Sequence, residues 1–487
     1  VLRGGSAVTP EGVRPVDIVI AAGAIADLLP PGTAVDAAEE VDASGCLVLP
    51  GIIDAHVHFR TPGLTHKEDW AHASTAAVAG GVTTVLDMPN TIPATAGADA
   101  LLAKVDLAVG RSRCHFGFYG ALAADNLGHL PALAAAGVVG FKVFLGETTA
   151  SLPPPDDGQL LLAWRTTAAL GLRTMVHAEN GAILRMAAAR EGAAEGPAHA
   201  RGGAPTSPAE GPAHAGGGAP TSPAEGPAHA RGGAPTSAAA AGPGAPPSLA
   251  AHGRSRPPVA EVEAVSRACL LADAAGAPIA IAHLSTAGAA QVVRRAKADG
   301  VDVRGETCPH YLLLTEEEAA PLRALAKVNP PLRAAADRDA LWAAVGDGTI
   351  DQIGSDHAPH TPAEKAAADL REAPSGFAGV QNTLPVLLGD PRLSLRRLVE
   401  LLCEGPARNW GLWPGKGRIA RGADADLVVV RPAAPRQPAQ QWSLHPDAPV
   451  LRLRPARAEV VATVVGGRTV FRDGAPVGPP GGIWLRP

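Results

Sequence analysis

Eight short apolar runs, separated by alanine-rich stretches of helical spacing, constrain this chain of 487 residues more than any other feature. The runs are IIDAHVHF, VTTVLDMPN, HFGFYGAL, VVGFKVFL, RTMVHAEN, IAIAHLS, DVRGETCPH and IDQIGSDHAPH. Between most of them lie segments such as EDWAHASTAAVAG, VAEVEAVSRACLLADAAG and TAGAAQVVRRAKADG, with helical spacing. Strand and helix in alternation predict parallel βα units. Eight such units predict an α/β fold, a TIM-like (β/α)8 barrel. The runs need not alternate in polarity, because barrel strands are covered on both faces. Reactive groups in such a barrel stand where strands give way to loops, and nearly every run ends in polar residues.

The two ends of the chain read differently. Residues 1–50 hold VDIVIAAGAIADL and GCLVLPG, apolar runs cut by Gly and Pro. Residues 416–487 hold GADADLVVVRP and EVVATVVGGRTVFRDG. Together they predict a small β-sandwich domain built from both chain ends, around a catalytic barrel over 51–415. One stretch fits neither part. Three near-identical units of 15 residues, beginning EGPAHARGGAPTSPA, fill residues 195–239 without an aromatic or a large aliphatic side chain. Such a segment cannot bury enough surface to offset chain entropy, so 192–256 is expected to be a mostly disordered low-complexity insertion. His199, His214 and His229 recur with the repeat, and tandem duplication in a tolerant surface loop accounts for them.

Composition narrows the function classes. Hydrophobic residues at 46% supply a large core, whereas a net charge of -5 excludes a basic nucleic-acid surface or a polybasic membrane patch. The five cysteines are scattered with no CxxC, which argues against a disulfide framework or a thiolate zinc site and for a reducing cytoplasm. No apolar run reaches membrane-span length, and no signal-peptide pattern opens the sequence.

The chemistry lies at the strand ends. His56 and His58 close the first run, with Arg60 at the same spacing, so a strand continuing through them would point all three to one face. Lys142 lies in the fourth run. His177, His283 and Asp356 close the fifth, sixth and eighth. Each alone has a structural explanation. Together they put imidazole and carboxylate donors at one barrel mouth, a set that suits zinc. Four histidines and an aspartate exceed one tetrahedral site, which argues for two metal ions with a bridging group.

The ordered series DAHVHFR, MPNT, GFKVFLGET, VHAEN, AHLST, ETCPHYL, KVNPP, GSDHAPH and GRIARGADADLVVV resembles the amidohydrolase superfamily, within it the cyclic amidase branch of dihydroorotase, allantoinase and dihydropyrimidinase. The resemblance spans nearly the whole chain outside the repeats. It implies two Zn2+ ions per chain, bridged by hydroxide and by Lys142 carboxylated to a carbamate. His56, His58 and Asp356 would hold one ion, His177 and His283 the other, and Asp356 would shuttle the proton. Arg60 points within the branch to dihydroorotase, where an arginine after His-x-His grips the substrate carboxylate. Allantoinases usually carry Asn there and hydantoinases Asp. The reaction implied is reversible hydrolysis of dihydroorotate to N-carbamoyl-aspartate in pyrimidine biosynthesis, with allantoinase or another cyclic ureide hydrolase as the alternative. Asn90, Asn329, His360 and the backbone near Gly376 and Phe377 match the substrate pocket, and Thr148 and Thr149 match a mobile loop over it. Two departures weaken the match. Thr61 replaces an acidic residue after Arg60, and Asn329 stands where the animal trifunctional pyrimidine enzyme has Arg. A homo-oligomer is implied, and aspartate transcarbamoylase is a candidate partner. The inactive scaffolds that resemble dihydroorotase typically lose zinc ligands, whereas every ligand is kept here.

Overall fold

All six residues of Ile52–Val57 (β6), the first barrel strand, are buried, as are all eight of His115–Leu122 (β8), and this two-sided burial is what a parallel barrel demands. The computed structural model describes residues 1–146, 152–194 and 248–486. Thr148, Thr149 and the repeats over 195–239 lie outside the described residues.

The chain opens with Leu2–Thr9 (β1), Gly12–Ala21 (β2), Ala24–Leu29 (β3), Val41–Asp42 (β4) and Leu47–Pro50 (β5). The barrel strands are β6, Val82–Asp87 (β7), β8, Gly140–Phe144 (β9), Thr174–His177 (β10), Ile279–Ile281 (β11), Val303–Thr307 (β12) and Ile350–Ile353 (β13). Each falls inside one of the eight apolar runs. They pair in chain order, all parallel. The ring closes through a parallel bridge between Val57 and His357, where the His58 amide donates to the His357 carbonyl at 2.8 Å. Phe141 and Val143 belong to the large apolar core formed with the helices, so Lys142 between them faces into the barrel. Beneath it a separate cluster that includes Leu86, Tyr119, Met175, Ala280 and Trp410 plugs the interior, with Tyr119 edge-on to Trp410 at 4.8 Å.

The last strands are Leu427–Arg436 (β14), Ala456–Val465 (β15), Arg468–Arg472 (β16) and Ala475–Pro476 (β17). Both chain ends meet where β14 pairs antiparallel with β5, and one mixed sheet of nine strands results, ordered β17-β16-β15-β14-β5-β1-β2-β3 with β4 beside β1. It encloses its own core of Ile18, Val48, Leu427, Val429 and Val464.

Two boundaries differ from expectation. The expected disordered span 192–256 is too wide at both ends. A helix runs through Gly181–Ala194, and the helix Leu249–Ser255 begins where the Ser248 hydroxyl accepts from the Ala251 amide at 3.2 Å, with Leu249 buried. Alanine-rich composition continues across these edges and hides them. The C-terminal part also does not stay with its sheet. Its last residues return to β8, where the Phe116 amide donates to the Ile483 carbonyl at 3.0 Å. Gly and Pro in that tail conceal the pairing. Among the described residues no helix is long and apolar enough to cross a membrane.

Candidate metal centre and substrate pocket

His56 sits inside β6 and His58 one residue beyond its end. Asp356 stands three residues past β13 in a left-handed conformation, φ +49°. Its Oδ1 lies 3.4 Å from His56 Nε2 and 3.2 Å from His58 Nε2. Ligand atoms of the three lie within 4.8 Å of one another, close enough for one cation. On the other side His177 Nδ1 faces His283 Nε2 at 2.9 Å, and the His56 and His283 rings are 5.3 Å apart. The four imidazoles therefore form one continuous group.

The outer ring nitrogens explain why the inner ones face inward. His56 Nδ1 donates to Glu306 Oε1 at 2.6 Å, His58 Nδ1 to Asn90 Oδ1 at 3.0 Å and His177 Nε2 to Glu179 Oε2 at 3.0 Å. With the proton held on the outer nitrogen, the inner lone pair is free for a metal. Burial lowers the pKa of all four imidazoles, which favours the neutral form a ligand needs. Lys142 Nζ is buried with no hydrogen-bond partner among the described residues, and burial lowers its pKa. Burial alone would raise Asp356, but His56 and His58 hold it well below the usual carboxylate range. The donor set fits divalent metal: neutral imidazoles, a carboxylate and an orphaned amine converge in one buried space.

Behind the donors are carboxylates the sequence reading did not single out. Glu306 accepts from His56 Nδ1 and is held from behind by Gln352 Nε2 at 2.6 Å. Asp54 Oδ1 accepts from the amides of His56 and Ser355, at 3.2 and 3.1 Å, and so ties β6 to the Asp356 loop. Glu179 accepts from His177 and Arg256, which keep it below its ordinary pKa against the pull of burial. A signal for Glu179 was available, since it follows His177 by the same two-residue step that separates His56 from His58.

Above the donors lies a cavity of about 490 Å³. Arg60, Asn90, Asn329, His360 and Gly376 line it together with the six donor residues, so most expected pocket residues meet there. Arg60 is the exception in its route. It does not continue a strand face, because β6 ends at Val57 and Arg60 adopts φ +60° before the Thr61–Pro62 turn. Positive φ at Arg60, His283 and Asp356 concentrates backbone strain at the site. Arg60 is buried, and burial lowers its pKa to about 10. His360 Nε2 lies 3.1 Å from the Arg60 guanidinium and 3.0 Å from the Ser375 carbonyl. Lys67 Nζ donates to His360 Nδ1 at 3.2 Å, so Nε2 carries the ring proton and donates to Ser375. Among the described residues, the buried atoms Arg60 Nε and Asn329 Oδ1 have no hydrogen-bond partner, and both residues line the cavity. The absent acidic residue at Thr61 therefore does not displace Arg60. Gly376 has φ +125°, and a Cβ there would meet the Ala358 carbonyl at 2.6 Å. The Phe377 ring turns away onto His310, 5.0 Å between centroids, leaving only its backbone near the pocket.

Fold and site define a (β/α)8 barrel that gathers metal-type donors at its strand ends. The chain belongs to the amidohydrolase family, whose profile matches residues 47–192 and 247–470. The unmatched gap coincides with the repeats. It is similar to an allantoinase from Rubrobacter xylanophilus, at 36% identity over 100% of this chain and 97% of the relative. It is also similar to a dihydroorotase from a Geobacter species, at 32% identity over 97% and 99%. An L-hydantoinase (dihydropyrimidinase) structure from Arthrobacter aurescens superposes with a TM-score of 0.86 at 29% identity, covering 100% and 99% of the two chains. The superfamily and branch expected from the sequence hold. The preference for dihydroorotase does not carry over, since relatives named allantoinase show the higher identities.

Proposed function

We propose that this chain hydrolyses the ring C–N bond of a cyclic ureide, with allantoin as the first candidate substrate. Convergence of four neutral imidazoles, Asp356 and the unpartnered Lys142 amine carries the hydrolytic reading. Full-length likeness to allantoinases supports the choice of ring. His56, His58 and Asp356 would hold one ion, His177 and His283 a second, and Lys142 as a carbamate would bridge them. Zinc suits this donor set. Such a pair supplies Lewis acidity, which polarises the ring carbonyl and lowers the pKa of water. Asp356 accepts the proton of the attacking water at its carboxylate and passes it to the leaving ring nitrogen, a general acid–base role suited to its place beside both His56 and His58. Arg60, Asn90 and Asn329 orient the ring through its carbonyl and ureido groups.

Arg60 favours a second reading, dihydroorotate. A buried guanidinium whose Nε has no hydrogen-bond partner among the described residues matches a carboxylate better than a neutral ureido oxygen. Steady-state kinetics on allantoin, dihydroorotate, dihydrouracil and hydantoin separate the two. For allantoin, the highest kcat/KM should fall on that ring, and Arg60→Met should cost about 0.5–1.5 kcal/mol, the range of a neutral hydrogen bond. A preference for dihydroorotate, with a loss of roughly 2–5 kcal/mol on Arg60→Met, would install the second reading instead. No turnover of any of the four by metal-loaded protein would sink both.

A further inference from the structure

Arg256 belongs to none of the motifs that define the site, yet it lines the cavity and grips a carboxylate behind one of the donors. Its Nε donates to Glu179 Oε1 at 3.1 Å, and its terminal nitrogen pairs closely with Oε2. That same Oε2 accepts from His177 Nε2 at 3.0 Å. Glu179 is fully buried, so its two partners fix the plane of the carboxylate. Arg256 is itself held on two sides. Its carbonyl accepts from Arg333 at 2.6 Å, and Arg333 in turn donates to the Ser285 hydroxyl at 3.2 Å. The helix Leu249–Ser255 that delivers it is tied by the Arg254–Glu191 ion pair, 2.8 Å, to the helix Gly181–Ala194. His56, on the opposite side of the centre, is supported otherwise. Its carboxylate Glu306 is backed by the neutral Gln352 amide, which Asn409 and Trp410 hold at 2.8 and 3.1 Å. The two histidines thus have different supports, one ending in a guanidinium fork and one in an amide, while Glu306 also accepts from the His283 backbone amide at 3.4 Å.

We propose that Arg256 is a positioning residue for the His177–His283 half of the centre. By locking Glu179 it keeps His177 Nε2–H pointing outward and the Nδ1 lone pair pointing at His283 Nε2, where a cation would sit. The His56–His58–Asp356 half does not depend on it. This rests on the two-ion reading above. A planar fork fixes the carboxylate orientation in a way a single ammonium cannot. Partners behind a metal-binding histidine typically govern affinity by about 10–100-fold.

The test counts zinc per chain by elemental analysis after dialysis against a weak chelator, for wild type, Arg256→Gln, Arg256→Lys and Glu179→Gln. Release rates are followed with a chromogenic chelator. Wild type should retain two ions. Arg256→Gln and Glu179→Gln should retain one and release the other about 10–100-fold faster, and Arg256→Lys should restore retention in part. The cobalt-substituted protein should lose one component of its visible spectrum in Arg256→Gln. Wild type holding fewer than two ions would overturn the two-ion reading and this inference with it. Two ions in wild type and two in Arg256→Gln, released at equal rates, would overturn the inference alone. Should Arg256→Gln fail to fold, Arg256→Lys and Glu179→Gln decide, and wild-type release rates in both would overturn the inference.

Discussion

Lys142 carries a buried amine among the apolar residues of its strand. Its amine lies buried in β9 without a hydrogen bond, 5.2 Å from the Phe144 ring. Burial lowers its pKa to about 8 against the pull of Glu306 and Asp356, which raises the share of neutral amine, the form that adds carbon dioxide. If the resulting carbamate bridges two ions, Lys142→Ala should lose most bound metal and most turnover, and a short carboxylic acid such as propionate should restore part of both. Elemental analysis and activity with and without the acid check this, and a variant with full metal and normal turnover would refute the bridge. The donors themselves were legible in the sequence because barrel strands put their chemistry at their ends, a positional rule that needs no neighbours. Arg60 was legible as a pocket residue but not in its direction. Its φ of +60° comes from a turn whose geometry the two-residue spacing does not encode. Glu179 and Glu306 were less legible still, since an acidic residue near a strand end is commonplace until a histidine proton is seen on it.

Among the elements, the segment from Leu370 to Gly376 carries the far wall of the pocket and has no strand or helix to hold it. Lys327 does that work by chemistry instead. Its buried Nζ donates to the carbonyls of Leu370, Arg371 and Ala373 at 2.7, 3.1 and 2.6 Å, and Lys365 adds Pro374 at 2.9 Å. Burial lowers the pKa of Lys327 to about 8. Lys327→Met leaves these carbonyls without their donor, at roughly 2–4 kcal/mol in stability for a charge-assisted buried cluster. The wall it releases includes Ser375, which holds His360, so KM should rise several-fold while metal content stays at the wild-type level. Thermal melting, KM and metal analysis together check this, and an unchanged KM would place the wall outside substrate binding. Strands were readable here and this wall was not. Two-sided burial leaves a run of apolar residues, whereas a loop stitched by one lysine leaves only AAADLREAPSG, which reads as any polar connection.

At the scale of the whole molecule, the repeats interrupt a chain that is otherwise continuous with its family. The family profile stops at residue 192 and resumes at 247, and the described helices on either side are joined by the Glu191–Arg254 ion pair. The ends of the insertion are therefore brought near each other by the fold itself, and the closure does not rely on the repeats. Deleting 195–239 would leave the eight residues 240–247 to connect Ala194 to Ser248. Eight residues span about 26–29 Å when extended, ample for two helices tied side by side. Shortening a loop by roughly sixfold lowers its closure entropy cost by about 1.5–2 kcal/mol, so the deletion should leave Tm unchanged or slightly raised. Because Arg256 and the helix before it remain in place, metal content and kcat/KM should also match the full chain. Calorimetry and kinetics on the deletion check both. A Tm lower by several degrees would mean that the repeats contribute packing, and a changed kcat/KM at wild-type metal content would mean that they act on the pocket through the helix Leu249–Ser255, which leads into Arg256.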